Sequence, residues 1–256
     1  MLAEDDVDRF VRDGVVVLRG AVDPADVATL WSEVASGVRS QGVVPEDPTT
    51  WSVPVVRVPT PVGPASARAA SAPALAEASD RLLGAGRWVP PGVLGGTVPV
   101  RLPHPDDPGD AGWHVDAGVA GPEGLRIHRD ARGRALVVLV LLTDVGPDDA
   151  PTELLLGSQR DVAPVLDEVG DDGIGFVELA ASLPARVHER PSAWATGRAG
   201  DVVLAHPFLL HRATWPHRGT RPRAVAQAGV APVGPLDPHR PDPSPAEAAL
   251  LPPAPR

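Results

Sequence analysis

The 256-residue sequence has no cysteine, no lysine, no asparagine and no tyrosine. Without thiols the chain can form neither disulfides nor zinc ribbons nor iron–sulfur clusters, so any bound metal must be held by histidine, aspartate or glutamate. The absence of lysine excludes a Schiff-base lysine and a P-loop lysine, and the absence of tyrosine excludes a catalytic tyrosine. The chemistry of the chain is therefore restricted to histidines, carboxylates, hydroxyls and arginines.

Positive charge is also scarce, because all 23 basic residues are arginine and 33 residues are acidic, which gives a formal net charge of -10. This balance works against binding of a phosphate backbone, so we expect no nucleic-acid partner. The longest apolar run, 135–142, is far shorter than the roughly 20 residues of a membrane span, and the acidic first residues do not resemble an export signal. We expect a cytoplasmic protein with no membrane partner. The sequence does not indicate its oligomeric state.

Proline and glycine, in contrast, are abundant, with 32 and 26 residues. The prolines are concentrated after Val230, where they recur every few residues. Proline-rich segments of this kind bury little apolar surface. We therefore expect one globular domain over residues 1–231 and a mobile C-terminal tail over residues 232–256.

The hydrophobic pattern changes type along the chain. Apolar residues recur at helical spacing over 4–13, 24–38 and 75–83, and Asp23 is a suitable N-cap for the second of these segments. From about Val98 onward, short apolar runs separated by glycine, proline and aspartate are typical of strands. Because strands and helices do not alternate regularly, a doubly wound sheet is disfavoured. The pattern predicts a mainly β fold with packed helices and a double-stranded β-helix core of the jelly-roll or cupin-like type.

Three of the eight histidines occur in the pattern His-x-Asp, at 104–106, 114–116 and 128–130. On an extended strand, residues i and i+2 point to the same face, so this pattern can present an imidazole and a carboxylate to one metal ion. The first pair lies in a turn cluster and the third in a highly charged run, whereas His114 and Asp116 fit a half-buried strand. These two residues are the predicted ligand pair. A buried histidine hydrogen-bonded to an aspartate would produce the same pattern.

A second histidine cluster follows the apolar run 202–205. His206 lies among apolar residues and is interpreted as a core histidine, whereas His211, beyond Pro207, is favoured as a third ligand. Two histidines and one carboxylate on one face of a metal ion leave its other positions open. This is the ligand arrangement of non-heme Fe(II) oxygenases.

These ligand candidates occur together with three further motifs. A helix–strand signature spans 10–20, Thr143-Asp144-Val145-Gly146 lies in the centre of the chain, and Gly200-Asp201-Val202-Val203 precedes His211. In this combination the sequence resembles the phytanoyl-CoA dioxygenase-like family of Fe(II)- and 2-oxoglutarate-dependent oxygenases, in its bacterial branch. The resemblance extends from residue 4 to about residue 230.

The resemblance implies that His114, Asp116 and His211 hold Fe(II), and that 2-oxoglutarate and O2 are cosubstrates. It also implies that Arg223 binds the distal carboxylate of 2-oxoglutarate, a role for which a guanidinium fork is well suited. Arg101 and Thr152 are further candidates for lining the cosubstrate pocket.

The resemblance implies hydroxylation of a small organic molecule, because Asp116 is present where the halogenases of the family have a small residue. Two positions depart from the family pattern: Gln159 replaces a frequent histidine, and Ala213 replaces a frequent hydroxyl residue. The cosubstrate contacts beyond Arg223 therefore stay open. Two alternatives also stay open, namely a jelly-roll metalloprotein of another reaction class and a non-catalytic domain that retains the fold.

Overall fold

The computed structural model describes residues 2–121 and 124–252 and contains three antiparallel sheets. The strands are β1 (Val15–Leu18), β2 (Val55–Pro59), β3 (Trp88–Val89), β4 (Thr97–Arg101), β5 (Gly118–Gly121), β6 (Gly124–Ile127), β7 (Leu136–Leu141), β8 (Glu153–Leu155), β9 (Ile174–Gly175), β10 (Ser192–Trp194), β11 (Val202–Ala205), β12 (His211–Arg212) and β13 (Arg223–Pro232). The helices are α1 (Glu4–Asp13), α2 (Pro24–Arg39), α3 (Pro64–Ala70), α4 (Pro73–Leu83), α5 (Gln159–Val169), α6 (Phe176–Ser182) and α7 (Pro245–Ala248).

The largest sheet has seven strands. Six of them are hydrogen-bonded in the order β1-β11-β7-β13-β4-β2, and β3 pairs with the C-terminal part of β13. A second sheet has the order β10-β8-β12, and a third has the order β5-β6-β9. Neighbouring strands in the large sheet are distant in sequence, as in a jelly roll, where the chain crosses repeatedly between sheets.

Strand β7 shows how the layers are arranged, because it is buried on both faces. Leu136, Val138 and Val140 pack into the large core under the helices. Val137 and Leu139 belong to a second apolar cluster, which includes Leu154 of the second sheet. The large sheet therefore has a helix-side face and an interior face, and the interior face is opposed by the second sheet. This arrangement explains the unbroken apolar run over 135–142.

The helical segments begin and end where the sequence provides local signals. Gly14 ends α1 with a positive φ of 79°, a conformation that glycine adopts without strain. Asp23 caps α2 by accepting a hydrogen bond from the Ala25 N–H at 2.8 Å. The predicted helices over 4–13, 24–38 and 75–83 are thus present with shifts of at most two residues at their ends. Among the described residues, no helix has the length and apolarity needed to cross a membrane.

The C-terminal segment corrects one expectation. Residues 236–251 are folded against the body rather than forming a mobile tail: Ala246 and Glu247 are completely buried, and Leu250 is nearly so. Helix α7 contacts α1 and α4. The composition did not indicate this burial, which is possible because the carboxylate of Glu247 is paired with Arg87 at 2.5 Å and accepts hydrogen bonds from Ser244 at the start of α7. Residues 253–256 of the expected tail lie outside the described residues.

The predicted fold class is confirmed, a mainly β jelly roll with packed helices. Some elements were not expected from the pattern, among them the short strand β2 and the helix α3, in which four of seven residues are alanine. The apolar run 208–210 is not a strand, because pairing begins only at His211.

Candidate metal centre and adjoining cavities

The two predicted histidine ligands lie opposite each other on adjacent chain segments. His114 and His211 form an antiparallel bridge in which each backbone N–H donates to the other residue's carbonyl oxygen at 3.0 Å. Residues directly opposite in an antiparallel pair project their side chains to the same face. The two imidazole rings are accordingly close, with centroids 4.4 Å apart.

Asp116 completes the group. It follows His114 by two residues, and its Oδ2 lies 3.6 Å from Nε2 of His211. One ligand atom from each of the three side chains lies within 4.8 Å of the others. The structure therefore brings together the three residues that the sequence singled out, from two stretches almost a hundred residues apart.

Backbone carbonyls orient both imidazoles. Nδ1 of His114 lies 2.9 Å from the carbonyl oxygen of Gly112, and Nδ1 of His211 lies 3.0 Å from that of Leu209. When Nδ1 carries the proton and donates it to the carbonyl, the lone pair is on Nε2, as metal coordination requires. Nε2 of His211 is buried and has no hydrogen-bond partner among the described residues. A metal ion would satisfy this nitrogen, so the donor set fits a divalent cation.

The charges in this group are strongly coupled. Burial alone would raise the pKa of Asp116, but its interactions with His211 and Arg134 outweigh burial and hold the pKa far below its ordinary value. Burial also lowers the pKa of His114, and proximity to His211 lowers it further. Asp116 is thus a carboxylate and His114 a neutral imidazole at neutral pH, the states that bind metal, whereas Asp116 outweighs burial and raises the pKa of His211, so metal binding competes with protonation of His211.

A pair of buried arginines lies on the interior face of the large sheet. Arg223 and Arg101 are opposite each other in the pairing of β13 with β4. Their neighbours Ala224 and Val100 pack on the helix side, which places both arginines on the interior face. Arg223 donates from Nη2 to Oγ1 of Thr152 at 2.6 Å. All three predicted cosubstrate residues are therefore adjacent.

The positive charge of these arginines is only partly balanced. Arg101 donates to Oδ2 of Asp110 at 2.8 Å, and Arg57 contacts the same oxygen. The Nε atoms of both Arg101 and Arg223 are buried without a partner among the described residues. Burial, followed by the charge of Arg101, lowers the pKa of Arg223 well below its ordinary value, to about 9. Unsatisfied donors and unfavourable charge together indicate a binding site for an anion.

Two cavities meet at the histidine–aspartate group. The inner cavity, of about 160 Å³, is lined by the buried arginines and Thr152 and also by His114 and His211. The outer pocket, of about 600 Å³, is lined by His114, Asp116 and a set of mainly apolar residues. Only His114 and Asp110 line both. The arrangement can hold a small anion on one side of a metal ion and a larger organic molecule on the other.

The other histidines of the two sequence patterns lie elsewhere. His206 is completely buried: Phe208 N–H donates to its Nδ1 at 3.1 Å, and its Nε2 lies 3.1 Å from the carbonyl oxygen of Ala246, so it is the expected core histidine. His104 and His128 take no part in the metal-ligand group, as the sequence indicated.

Two residues of the site were not anticipated. Asp110 was treated only as part of a turn cluster, yet it pairs with Arg101. Arg134 was placed only at the start of the apolar run over 134–145, with no role in the site, yet its Nη1 lies 3.3 Å from Oδ2 of Asp116. A signal for Arg134 did exist, since it lies two residues before the buried strand β7.

The chain is similar in fold to several solved structures. No curated protein shows a significant sequence match. Among solved structures, the epimerase SnoN in complex with Fe3+, alpha ketoglutarate and nogalamycin RO is 20% identical, with a TM-score of 0.59 over 89% of this chain and 82% of SnoN. EctD from S. alaskensis with 2-oxoglutarate and 5-hydroxyectoine is 20% identical, with a TM-score of 0.56 over 90% and 76% of the two chains. HygX from Streptomyces hygroscopicus with nickel and 2-oxoglutarate is also 20% identical, with a TM-score of 0.54 over 91% and 88%.

These likenesses concern the fold, and the sequence itself supplies the family. The family model for phytanoyl-CoA dioxygenase (PhyH) matches residues 10–225, which include every residue of the metal group and both buried arginines. The resemblance inferred from the motifs is confirmed: the chain belongs to the phytanoyl-CoA dioxygenase family.

Proposed function

We propose that this chain is an Fe(II)- and 2-oxoglutarate-dependent dioxygenase in which His114, Asp116 and His211 hold the metal. The observation that carries the proposal is the approach of these three side chains to within 4.8 Å beside a cavity that contains two buried arginines. Two imidazoles and one carboxylate are the ligand set of the non-heme iron oxygenases. SnoN is solved with Fe3+ and alpha ketoglutarate, HygX with nickel and 2-oxoglutarate, and EctD with 2-oxoglutarate in one structure and Fe in another, which supports the same cofactor and cosubstrate here.

Arg223 is proposed to bind the distal carboxylate of 2-oxoglutarate. Its guanidinium can form two parallel hydrogen bonds with a carboxylate, and its unpartnered Nε is available for one of them. Thr152 holds the guanidinium in place, and Arg101 adds a second positive charge on the same face of the sheet. The inner cavity reaches the metal ligands, so a dicarboxylate could bind Arg223 at one end and the metal at the other.

Bound iron and 2-oxoglutarate would together supply the oxidation of a substrate C–H bond by O2, with 2-oxoglutarate converted to succinate and carbon dioxide. The chain contributes the geometry of this step. The carbonyls of Gly112 and Leu209 fix the tautomer of the two histidines, and the buried arginines fix one end of the cosubstrate. The outer pocket, of about 600 Å³, is large enough for a small organic molecule.

Hydroxylation is the proposed outcome, because Asp116 occupies the ligand position that a halide would need in a halogenase. The fold alone does not determine the outcome, since SnoN is an epimerase and SnoK, with a TM-score of 0.59, is a carbocyclase. The cytoplasm is the proposed compartment, since its reducing environment favours the ferrous state.

The test is the formation of succinate from 2-oxoglutarate by purified protein, with and without added Fe(II), after oxygen is admitted to an anaerobic sample. We expect succinate only when Fe(II), 2-oxoglutarate and O2 are all present. A metal-dependent hydrolase on the same fold would bind metal but would not consume the keto acid. A non-catalytic domain would give no turnover, and either result would refute the proposal.

A further inference from the structure

Arg134 reaches the metal group from the outer pocket, whereas the buried arginine pair lines the inner cavity. Its side chain crosses the interior face of β13 at Gly229, where an added Cβ would lie only 2.7 Å from Nε of Arg134. Gly229 thus provides the groove in which this side chain lies. Arg134 ends beside Asp116, with 3.3 Å between Nη1 and Oδ2, and among residues 2–121 and 124–252 no other acidic group forms an ion pair with it.

The two arginine positions belong to different cavities. Arg223 lines the inner cavity and not the outer pocket, whereas Arg134 lines the outer pocket and not the inner cavity. The inner cavity already has the charge and size for a dicarboxylate cosubstrate. Arg134 is therefore positioned to contact whatever occupies the outer pocket.

Apart from Arg134, the described wall of the outer pocket offers little attraction for a charged ligand. Asp116 belongs to the metal group, and Asp110 is neutralised by Arg101 and Arg57. The remaining side chains are mainly apolar. Leu125 and Phe176 are 61% and 53% exposed, which is unusual for large apolar residues that face a pocket. Such residues are covered when an apolar ligand binds.

The contact with Asp116 leaves Arg134 with free hydrogen-bonding capacity. A guanidinium has five N–H donors in a planar fork, and the ion pair with Asp116 involves Nη1 alone. A planar monoanion such as a carboxylate matches the remaining donors. A phosphate dianion fits less well, because the pocket contains a single arginine, no lysine and two carboxylates.

We propose that the substrate is an amphipathic carboxylic acid, with its carboxylate on Arg134 and its apolar body against Leu125, Ile127 and Phe176. This inference rests on the proposed function, since it names the substrate class of the same site. Arg134 then determines specificity: it fixes one end of the substrate so that a carbon of the apolar body lies next to the metal.

The experiment measures binding without turnover, by calorimetry on protein loaded with Ni(II) and 2-oxoglutarate. The probes are three matched pairs of acid and amide: octanoate and octanamide, phenylacetate and phenylacetamide, and naphthylacetate and naphthylacetamide. We expect at least one acid to bind about tenfold or more tightly than its amide, the gain typical of a hydrogen bond to a charged group. In R134Q this difference should disappear, whereas in the control R132Q, two residues away in the same turn, it should persist.

Gly229→Ala provides a second variant in case R134Q does not fold. The added methyl group displaces the Arg134 side chain without removing it, so the preference for the acid should again fall. If no acid is preferred over its amide in the unsubstituted protein, the inference is wrong. It is also wrong if R134Q weakens acid and amide equally, because Arg134 would then only position Asp116.

The same titrations separate this inference from the proposed function. Binding of Ni(II) and 2-oxoglutarate is measured first and tests the metal centre and the cosubstrate site. The acid–amide comparison is then repeated on metal-free protein, since Arg134 and the apolar wall are present without the metal. Failure of the first measurement with success of the second would refute the dioxygenase proposal and leave the carboxylate site in place.

Discussion

Replacement of Arg223 by methionine should stabilise the empty protein and abolish its response to 2-oxoglutarate. Arg223 is 2% exposed, and burial together with Arg101 lowers its pKa well below the ordinary value of an arginine, to about 9. Since a change of one unit in pKa corresponds to about 1.36 kcal/mol, the charged side chain carries a penalty on the order of 5 kcal/mol in the folded state. Methionine has a similar length and no charge, so the variant avoids this penalty.

The stabilisation of R223M should be smaller than the full penalty of the buried charge. Thr152 loses its partner at 2.6 Å, which costs about 1 kcal/mol, and the replacement will not fill the space perfectly. Replacing buried ionic groups with apolar residues of similar volume typically stabilises proteins by about 1–4 kcal/mol. We therefore expect the free energy of unfolding of R223M, measured with urea in the absence of ligand, to exceed that of the unsubstituted protein by about 1–3 kcal/mol.

Addition of 2-oxoglutarate should reverse the order of stability of R223M and the unsubstituted protein. At a 2-oxoglutarate concentration of about 100 times the dissociation constant, binding stabilises the unsubstituted protein by about 2.7 kcal/mol, and R223M should gain nothing. Urea unfolding with and without metal and 2-oxoglutarate measures both effects in one experiment. If R223M is less stable than the parent without ligand, the charge of Arg223 is satisfied within the chain and the anion site does not exist. If R223M is still stabilised by 2-oxoglutarate, another residue binds the distal carboxylate.

Three further predictions concern other parts of the molecule. Loss of a residue that only hydrogen-bonds a metal ligand typically weakens metal binding by roughly 10–100-fold, and D116A should weaken Fe(II) binding by more than this, because it removes a ligand itself. Succinate formation by D116A should fall to background. The control D106A changes the same His-x-Asp pattern at an exposed position and should leave Fe(II) binding and succinate formation unchanged. Burial lowers the pKa of His206 to about 3 in the folded state, below its ordinary value of 6.5. Between these two pH values the unfolded state binds more protons than the folded state, so the free energy of unfolding decreases as pH falls through this range. Between pH 7 and pH 5 the free energy of unfolding should fall by about 2 kcal/mol from this cause. In urea unfolding, H206Q should lose less stability than the unsubstituted protein over the same interval. An equal loss would contradict the conclusion that His206 is buried as a neutral imidazole. E247A should lower the free energy of unfolding by roughly 2–3 kcal/mol. This is somewhat less than the cost of breaking a fully buried ion pair, because the side chain of Arg87 reaches solvent. An unchanged urea midpoint would show that the C-terminal segment does not contribute to stability.

The grouping of the three candidate ligands could be predicted from the sequence because it depends on local context. His114 and Asp116 are two residues apart and His211 follows a long apolar stretch, so residue types and spacing were sufficient to select them, although His114 forms a single bridge rather than the expected strand. Their mutual position could not be predicted in this way. It depends on the antiparallel bridge between His114 and His211, and such long-range register is set by the packing of entire sheets.

Charged residues were the main source of error. Glu247 lies in a segment whose composition is typical of solvent-exposed chain, yet it is completely buried. Arg134 begins an apolar run and was given no role in the site, yet its side chain packs along Gly229 and reaches Asp116. In both cases the partner is distant in sequence: Asp116 pairs with Arg134, and Arg87 pairs with Glu247. A buried charge is tolerated only with such a partner, and no pattern within a short window of sequence identifies it.

The bridge between His114 and His211 has a consequence for how the pocket is maintained. Within the described part of the chain, the segment before β5 is attached to β12 by two backbone hydrogen bonds, both made by His114. A bound ion held by both histidines and by Asp116 would act as an additional cross-link at this point, so loading the metal should slow local unfolding of residues 111–121. The ion would then help to keep in place part of the wall that surrounds it, and the apoprotein should be cleaved by proteases first in this segment.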